Sequence, residues 1–211
     1  MRTDLFDLSG RVAVVTGGIG RSIAKGLAQA GAAVAVLARN EEKNQHVMGE
    51  LQAIGVAGLA VKVDVSARAE LEPALKKVEG TLGPVSILVN NAAIGAVAGV
   101  LEETPEDWDK VIETNLNACF LLSKLAAQSM VKQRQGKIIN IASMYSFFGA
   151  ESNPSYSAAK GALVQLTKSM AIELAPFNIQ VNAPRCWVGY SLVQGSPINL
   201  QSERRSRYRR L

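Results

Sequence analysis

The sequence predicts an α/β fold, a doubly wound parallel sheet, on three observations. Short β-branched apolar runs alternate with longer stretches of helical period along the chain. The runs are apolar on both sides of their alternation, as strands covered on two faces must be. Glycine, asparagine, aspartate and serine collect where the runs end, and in open sheets of this kind ligands bind at the carboxyl edge.

The first run, Val12 to Val15 in RVAVVTG, passes through Thr16 into Gly17. In the IGRSIAKGLAQAG that follows, Ile19, Ile23, Leu27 and Ala30 fall at helical spacing and stop at Gly31. AAVAVLA is the second strand and RNEEKNQHVMGELQAIG its helix; AGLAVKVDV and SARAELEPALKKVEGTLG are the third pair. VSILVNNAA leads into one long helix through Trp108 to Gln133. GKIINIAS precedes a helix from Tyr156 to Leu174, and NIQVN closes the series.

A chain of 211 residues, 48% hydrophobic and 19% charged, suits one domain with a sizeable core. Its two cysteines, Cys119 and Cys186, lie far apart, which disfavours a disulfide scaffold and favours a reducing, cytoplasmic compartment. His46, the sole histidine, sits in a polar stretch, so neither a histidine-based triad nor a metal site is expected. No run of about 18 apolar residues spans a bilayer and no leader pattern opens the chain, so no membrane partner is expected. Of the net charge of +5, the segment from Ser202 to Arg210 holds four, as five arginines against one glutamate. That tail is the one candidate for polyanions, and nucleic acid is not an expected partner.

The glycines after the first strand let a backbone approach a pyrophosphate, which the helix N-terminus attracts. An acid at the end of strand two reads an adenosine ribose, whereas a basic residue pairs with a 2′-phosphate. The strand ends in Ala38 and Arg39, so NADP(H) is expected ahead of NAD(H). Tyr156 and Lys160 stand four apart on one helix face. An ammonium beside a phenol pulls its pKa down from about 10, which suits Tyr156 to acid/base work, while Ser143 offers a hydroxyl to a substrate oxygen. Taken alone, a Tyr-x-x-x-Lys pair is an ordinary amphipathic-helix feature; the other strand-end motifs give it weight.

Together, Thr16-Gly17 before Gly18-Ile19-Gly20, Asp64-Val65, Asn90-Asn91-Ala92-Ala93, Asn115 in ETNLNACF, Ser143, YSAAK and NIQVNA resemble the short-chain dehydrogenase/reductase family. The resemblance covers residues 5 to 183 and implies a Rossmann-like, dinucleotide-binding domain over 1–183. It implies that Tyr156 moves the proton of a small carbonyl or secondary alcohol, Lys160 lowers its pKa and holds the nicotinamide ribose, Ser143 orients the substrate, and Asn115 supports a proton-relay water. Cofactor contacts are implied for Gly17, Gly18, Ile19, Gly20, Arg39, Asp64, Val65, Asn91, Ala92, Tyr156 and Lys160. FDLSGRVAVVTGG and SMYSFFG are similar in flavour to members acting on sugar acids or polyols. Homo-oligomers are implied, here a dimer rather than the usual tetramer.

Two departures qualify the resemblance. The family has three residues between its first glycine and the Gly-x-Gly, whereas Gly18 follows Gly17 at once. The missing residues span up to about 10 Å, so the helix start is expected to unwind or the loop to sit elsewhere, weakening dinucleotide affinity. Past Ala183 the pattern is lost, as a change of reading frame would cause, and 184–211 is expected to be a loose basic tail. The last strand and substrate lid are then missing, Ile179 to Asn182 becomes an open edge, and Cys186, Trp187 and Tyr190 cover the gap. An oxidoreductase is the leading expectation, with doubtful turnover; an inactive interaction module is the alternative.

Overall fold

The computed structural model describes residues 6–17 and 20–186, with Arg185 and Cys186 as backbone. Gly18, Ile19, Trp187, Tyr190, the Cys186 side chain and the arginine tail, with the expectations placed on them, lie outside the described residues.

The strands are β1 (Val12–Thr16), β2 (Ala33–Ala38), β3 (Gly58–Lys62), β4 (Ile87–Asn90), β5 (Gly136–Asn140), β6 (Ala142–Ser143), β7 (Ile179–Asn182) and β8 (Arg185–Cys186). Six of them form one sheet in the order β3-β2-β1-β4-β5-β7, parallel throughout. The order reverses between β1 and β4, which opens a crevice at their carboxyl ends. Among the described residues β3 and β7 are the two edge strands, and β7 is where the sequence placed an open edge.

The helices are α1 (Gly20–Gln29), α2 (Glu41–Ile54), α3 (Arg68–Leu82), α4 (Pro105–Ile112), α5 (Ala118–Gln133) and α6 (Pro154–Leu174). Alternation along β1 divides them between two layers. Ala13 and Val15 pack with Ala24 and Ala28 of α1 and Leu51 of α2. Val12 and Val14 pack with Leu75 of α3, Leu122 of α5 and Met170 of α6. Each fully buried Leu or Val contributes about 1.5–3 kcal/mol over an exposed one. Small residues face the sheet on α1, so Ile23 and Leu27 border the core rather than fill it.

Two elements differ from expectation. The long helix through Trp108 to Gln133 is α4 and α5 joined by a π-helical turn, Glu113–Asn117. Such turns insert one residue into the helical ladder; this one is fastened by Arg68, whose Nε donates to Glu113 Oε1 at 2.6 Å, and by Asn117 Nδ2, which donates to Glu113 Oε2 at 2.7 Å. The fifth run also breaks, at Ile141. Beyond it β6 leaves the main sheet and pairs in parallel with β8, matching Ala142 to Arg185 and Ser143 to Cys186.

Candidate active site

Parallel register brings the ends of β1 and β4 to one level, with Val15 opposite Val89. Thr16 ties the two loops: its Oγ1 accepts the N–H groups of Asn91 and Ala92, each at 3.0 Å, and Asn91 Nδ2 donates to its carbonyl at 2.9 Å. Gly17, at φ 84°, packs so tightly that a Cβ would stand 2.8 Å from Ala92 Cα. Only glycine satisfies both demands. Gly20 opens α1, and its N–H donates to the Gly17 carbonyl at 3.1 Å; the expected unwinding of the helix start falls on Gly18 and Ile19, outside the described residues. A Cβ on Gly20 would fall 2.6 Å from Val15 Cγ1. The tight turn therefore uses a helix N–H that an anion would otherwise take.

A cavity of about 280 Å³ lies beside this turn, and its lining includes Gly17, Arg39, Lys43, Asp64, Asn91 and Ala92 beside Val65. Arg39 Nη1 stands 3.6 Å from Asp64 Oδ2, both side chains well exposed. Burial alone would raise the Asp64 carboxyl, but Ser66 and Arg39 together outweigh it. The Ser66 hydroxyl at 2.7 Å and N–H at 2.9 Å both donate to Oδ1, and with the Arg39 charge they hold the carboxyl below its ordinary value. A larger, more open groove of about 630 Å³ runs along β3 and α3 and shares Arg39 and Asp64, but it lacks the Gly17 and Ala92 backbone. The smaller cavity is the nucleotide candidate.

Lys160 is buried in α6, its Nζ donating to the Ile141 carbonyl at 2.6 Å. The ammonium lies 5.7 Å from the centre of the Tyr156 ring, against which the Tyr145 ring stands edge-on at 6.3 Å. Ser143 Oγ accepts the Tyr145 N–H at 3.3 Å while the Ser143 N–H donates to Ser146 Oγ at 3.2 Å, a reciprocal cap on the turn after β6. Asn115, fully buried in the π-turn, spends its side chain on Ile94: Oδ1 accepts the Ile94 N–H at 2.9 Å and Nδ2 donates to the Ile94 carbonyl at 2.7 Å. The Asn115 backbone carbonyl accepts Cys119 Sγ at 3.3 Å. Burial pushes the Cys119 thiol up to about 11, against the opposing charge of Lys160.

Beneath the site runs a polar ladder that sequence reading missed. Asn90 Nδ2 donates to Ser123 Oγ at 2.9 Å and to Asn140 Oδ1 at 2.8 Å; Asn140 Nδ2 donates to Thr167 Oγ1 at 2.9 Å. Lys43 was missed as well, although its spacing from Arg39 was a usable signal. Asn40 sets its place, accepting the Lys43 N–H at 2.8 Å as the cap of α2.

The structure thus brings Ser143, Tyr156 and Lys160 around Ile141, sets Asn115 beneath the neighbouring loop, and groups Gly17, Arg39, Asp64, Val65, Asn91 and Ala92 at the cavity. The donor set fits a nicotinamide dinucleotide: cations for a phosphate at one end and a buried ammonium below a phenol at the other. Among the described residues no cluster of three His, Cys, Asp or Glu stands ready for a metal ion.

The family model for short chain dehydrogenases matches residues 11–188. The 2-dehydro-3-deoxy-D-gluconate 5-dehydrogenase of Formosa agariphila is 40% identical over 186 residues, 86% of this chain and 70% of that protein. The 5-keto-D-gluconate 5-reductase of Escherichia coli is 37% identical over 182 residues, covering 85% and 72%. The crystal structure of a gluconate 5-dehydrogenase from Burkholderia cenocepacia in complex with NADP and tartrate superposes with a TM-score of 0.81 at 37% identity, over 86% of this chain and 72% of that one.

Proposed function

The chain belongs to the short-chain dehydrogenase/reductase family, and from that premise we propose that it is an NADP(H)-preferring oxidoreductase, with NAD(H) as second choice, for a small polyhydroxy carbonyl compound of the ketogluconate class named for its relatives. The observation that carries this reading is the buried Lys160 ammonium, anchored on Ile141 beneath the Tyr156 ring.

When bound, the dinucleotide supplies or accepts a hydride. Arg39 and Lys43 pair with its 2′-phosphate, Asp64 and Val65 border the adenine, and Gly17 and Gly20 with Asn91 and Ala92 flank the remainder. Lys160 favours the Tyr156 phenolate and, with Tyr156, holds the nicotinamide ribose. In reduction Tyr156 Oη donates its proton to the substrate oxygen, and in oxidation it takes that proton back. Because Ser143 Oγ accepts from Tyr145, the hydroxyl keeps its own proton to donate to the same oxygen. Asn115 contributes its backbone carbonyl to a relay water beside Lys160.

NADPH-dependent reduction of 5-keto-D-gluconate tests the proposal. Tyr156→Phe lowers kcat at least about a hundredfold with NADPH affinity retained; equal turnover by the two proteins would sink it. A second reading, an inactive scaffold, draws support from the contracted glycine turn, where the Gly20 N–H is spent on Gly17. Self-association is part of the proposal, since Trp108, Phe120 and Ile172 stand exposed on α4, α5 and α6. The cytoplasm suits the free, buried Cys119 thiol. Among the described residues no helix is long and apolar enough to cross a membrane.

A further inference from the structure

The first turn of a helix carries N–H groups with no partner inside the helix. At the start of α6 the N-cap residue, Asn153, makes no side-chain cap, and Pro154 has no N–H to offer. The cap comes from a distant segment. Ser155, fully buried, donates its N–H to Glu103 Oε2 at 3.2 Å and its hydroxyl to Glu103 Oε1. One carboxylate thus takes two bonds from the residue immediately before Tyr156, at the helix end whose dipole favours a negative charge.

Glu103 is itself firmly placed. Its N–H donates to the Gly99 carbonyl at 2.9 Å, and the next residue, Thr104, caps α4 by accepting the Asp107 N–H at 3.1 Å. Gly95, earlier in the same segment, also abuts the helix start: a Cβ there would lie 3.2 Å from Asn153 Oδ1 and 3.9 Å from Tyr156 Cδ2. The segment between β4 and α4 therefore grips the first turn of α6 at two points.

We propose that Glu103, acting through Ser155, is a positioning residue for Tyr156: its carboxylate fixes the first turn of α6 and with it the place of the phenol. The inference rests on the reading of Tyr156 as the acid/base group. Reacting groups displaced by about 1 Å cost up to about a hundredfold in rate, so a loosened helix start shows in turnover before it shows in binding.

The test uses the full chain. Glu103→Gln keeps an acceptor for the Ser155 N–H and gains a donor for its hydroxyl oxygen, so it rescues what Glu103→Ala loses. Glu103→Ala lowers kcat for 5-keto-D-gluconate about tenfold, with KM and NADPH affinity within about twofold of the parent. Ser155→Ala does likewise, and the double variant falls no further, as members of one unit must. Tyrosine labelled with carbon-13 at Cζ supplies a readout free of turnover. The chain has four tyrosines, and Tyr156→Phe assigns the relevant signal. That signal moves in Glu103→Ala and stays in Glu103→Gln.

An unchanged kcat and an unmoved Tyr156 signal in Glu103→Ala would overturn the proposal. So would a parallel loss of turnover, NADPH affinity and melting temperature, which marks a merely structural role. If the parent protein reduces no substrate, the acid/base reading falls, and the Tyr156 signal alone decides whether Glu103 positions it. Should Glu103→Ala not fold, Ser155→Ala, which removes only the hydroxyl bond, carries the same comparison.

Discussion

Lys160 Nζ donates a 2.6 Å hydrogen bond to the carbonyl of Ile141, the residue at which β5 gives way to β6. The bond joins the helix that carries the proposed acid/base group to the strand break that presents Ser143. Lys160→Met keeps most of the side chain's bulk but removes charge and donor together. Turnover is expected to fall at least about a hundredfold, and unfolding free energy by about 1–3 kcal/mol, because the Ile141 carbonyl loses its partner. Steady-state rates and denaturant melts measure both; full activity in Lys160→Met would remove Lys160 from the chemistry.

Arg39 lines the cavity while leaning on Asp64. Arg39→Ser is expected to weaken NADPH binding tenfold or more and leave NADH within about twofold, since only the former carries the phosphate. Parallel fluorescence titrations settle the point. Equal weakening of both would mean that Arg39 acts by holding Asp64 rather than by reading a phosphate.

The contracted turn at Gly17 makes its own prediction. Three residues inserted between Gly17 and Gly18 release the Gly20 N–H from the Gly17 carbonyl and restore room for a pyrophosphate. NADPH affinity is expected to rise at least tenfold, about 1.4 kcal/mol. If the lengthened protein binds no better, the short turn is not what governs affinity.

Glu113 holds the π-turn through Arg68 and Asn117, and the Arg68 hydrogen bond is the chief reason its carboxyl lies below the ordinary 4.5. A carboxyl depressed in the folded state contributes stability in full above the unfolded value. That contribution is lost as pH falls through the folded value. Glu113→Gln is therefore expected to melt lower than the parent at pH 7, and the two are expected to converge in acid. A gap of constant size from neutral pH to about pH 3 would contradict the assignment.

The sheet was legible because its strands are short apolar runs bounded by turn residues, and the strand-end motifs fell where the order of strands reverses. The break after Ile141 was not, since GKIINIAS carries no proline or internal glycine to mark it and only the pairing of β6 with β8 divides it. The π-turn escaped for a related reason: ETNLN carries no helix breaker, and the extra residue is selected by contacts with Ile94 and Arg68, far away in sequence. Asn115 was identified, yet its side chain serves Ile94. A motif names the residue but not which of its polar groups faces the site. Glu103 gave no local sign, because its partner is brought near only by tertiary packing.

Asn90 and Asn140 are matched residues of β4 and β5, and their amides meet inside the sheet's covering layer. Side chains alternate faces along a strand, so a slip of one residue by β5 would turn Asn140 to the opposite side and part it from Asn90 and Thr167 together. The ladder from Ser123 to Thr167 thus serves as an index mark for assembly: a misaligned pairing breaks several buried bonds at once, whereas the correct one joins Asn90 Nδ2, both polar atoms of the Asn140 amide and Thr167, leaving only Asn90 Oδ1 of that set without a partner. The spacing between the loop after β4 and the helix of Tyr156 is consequently settled while the chain folds, before any substrate arrives.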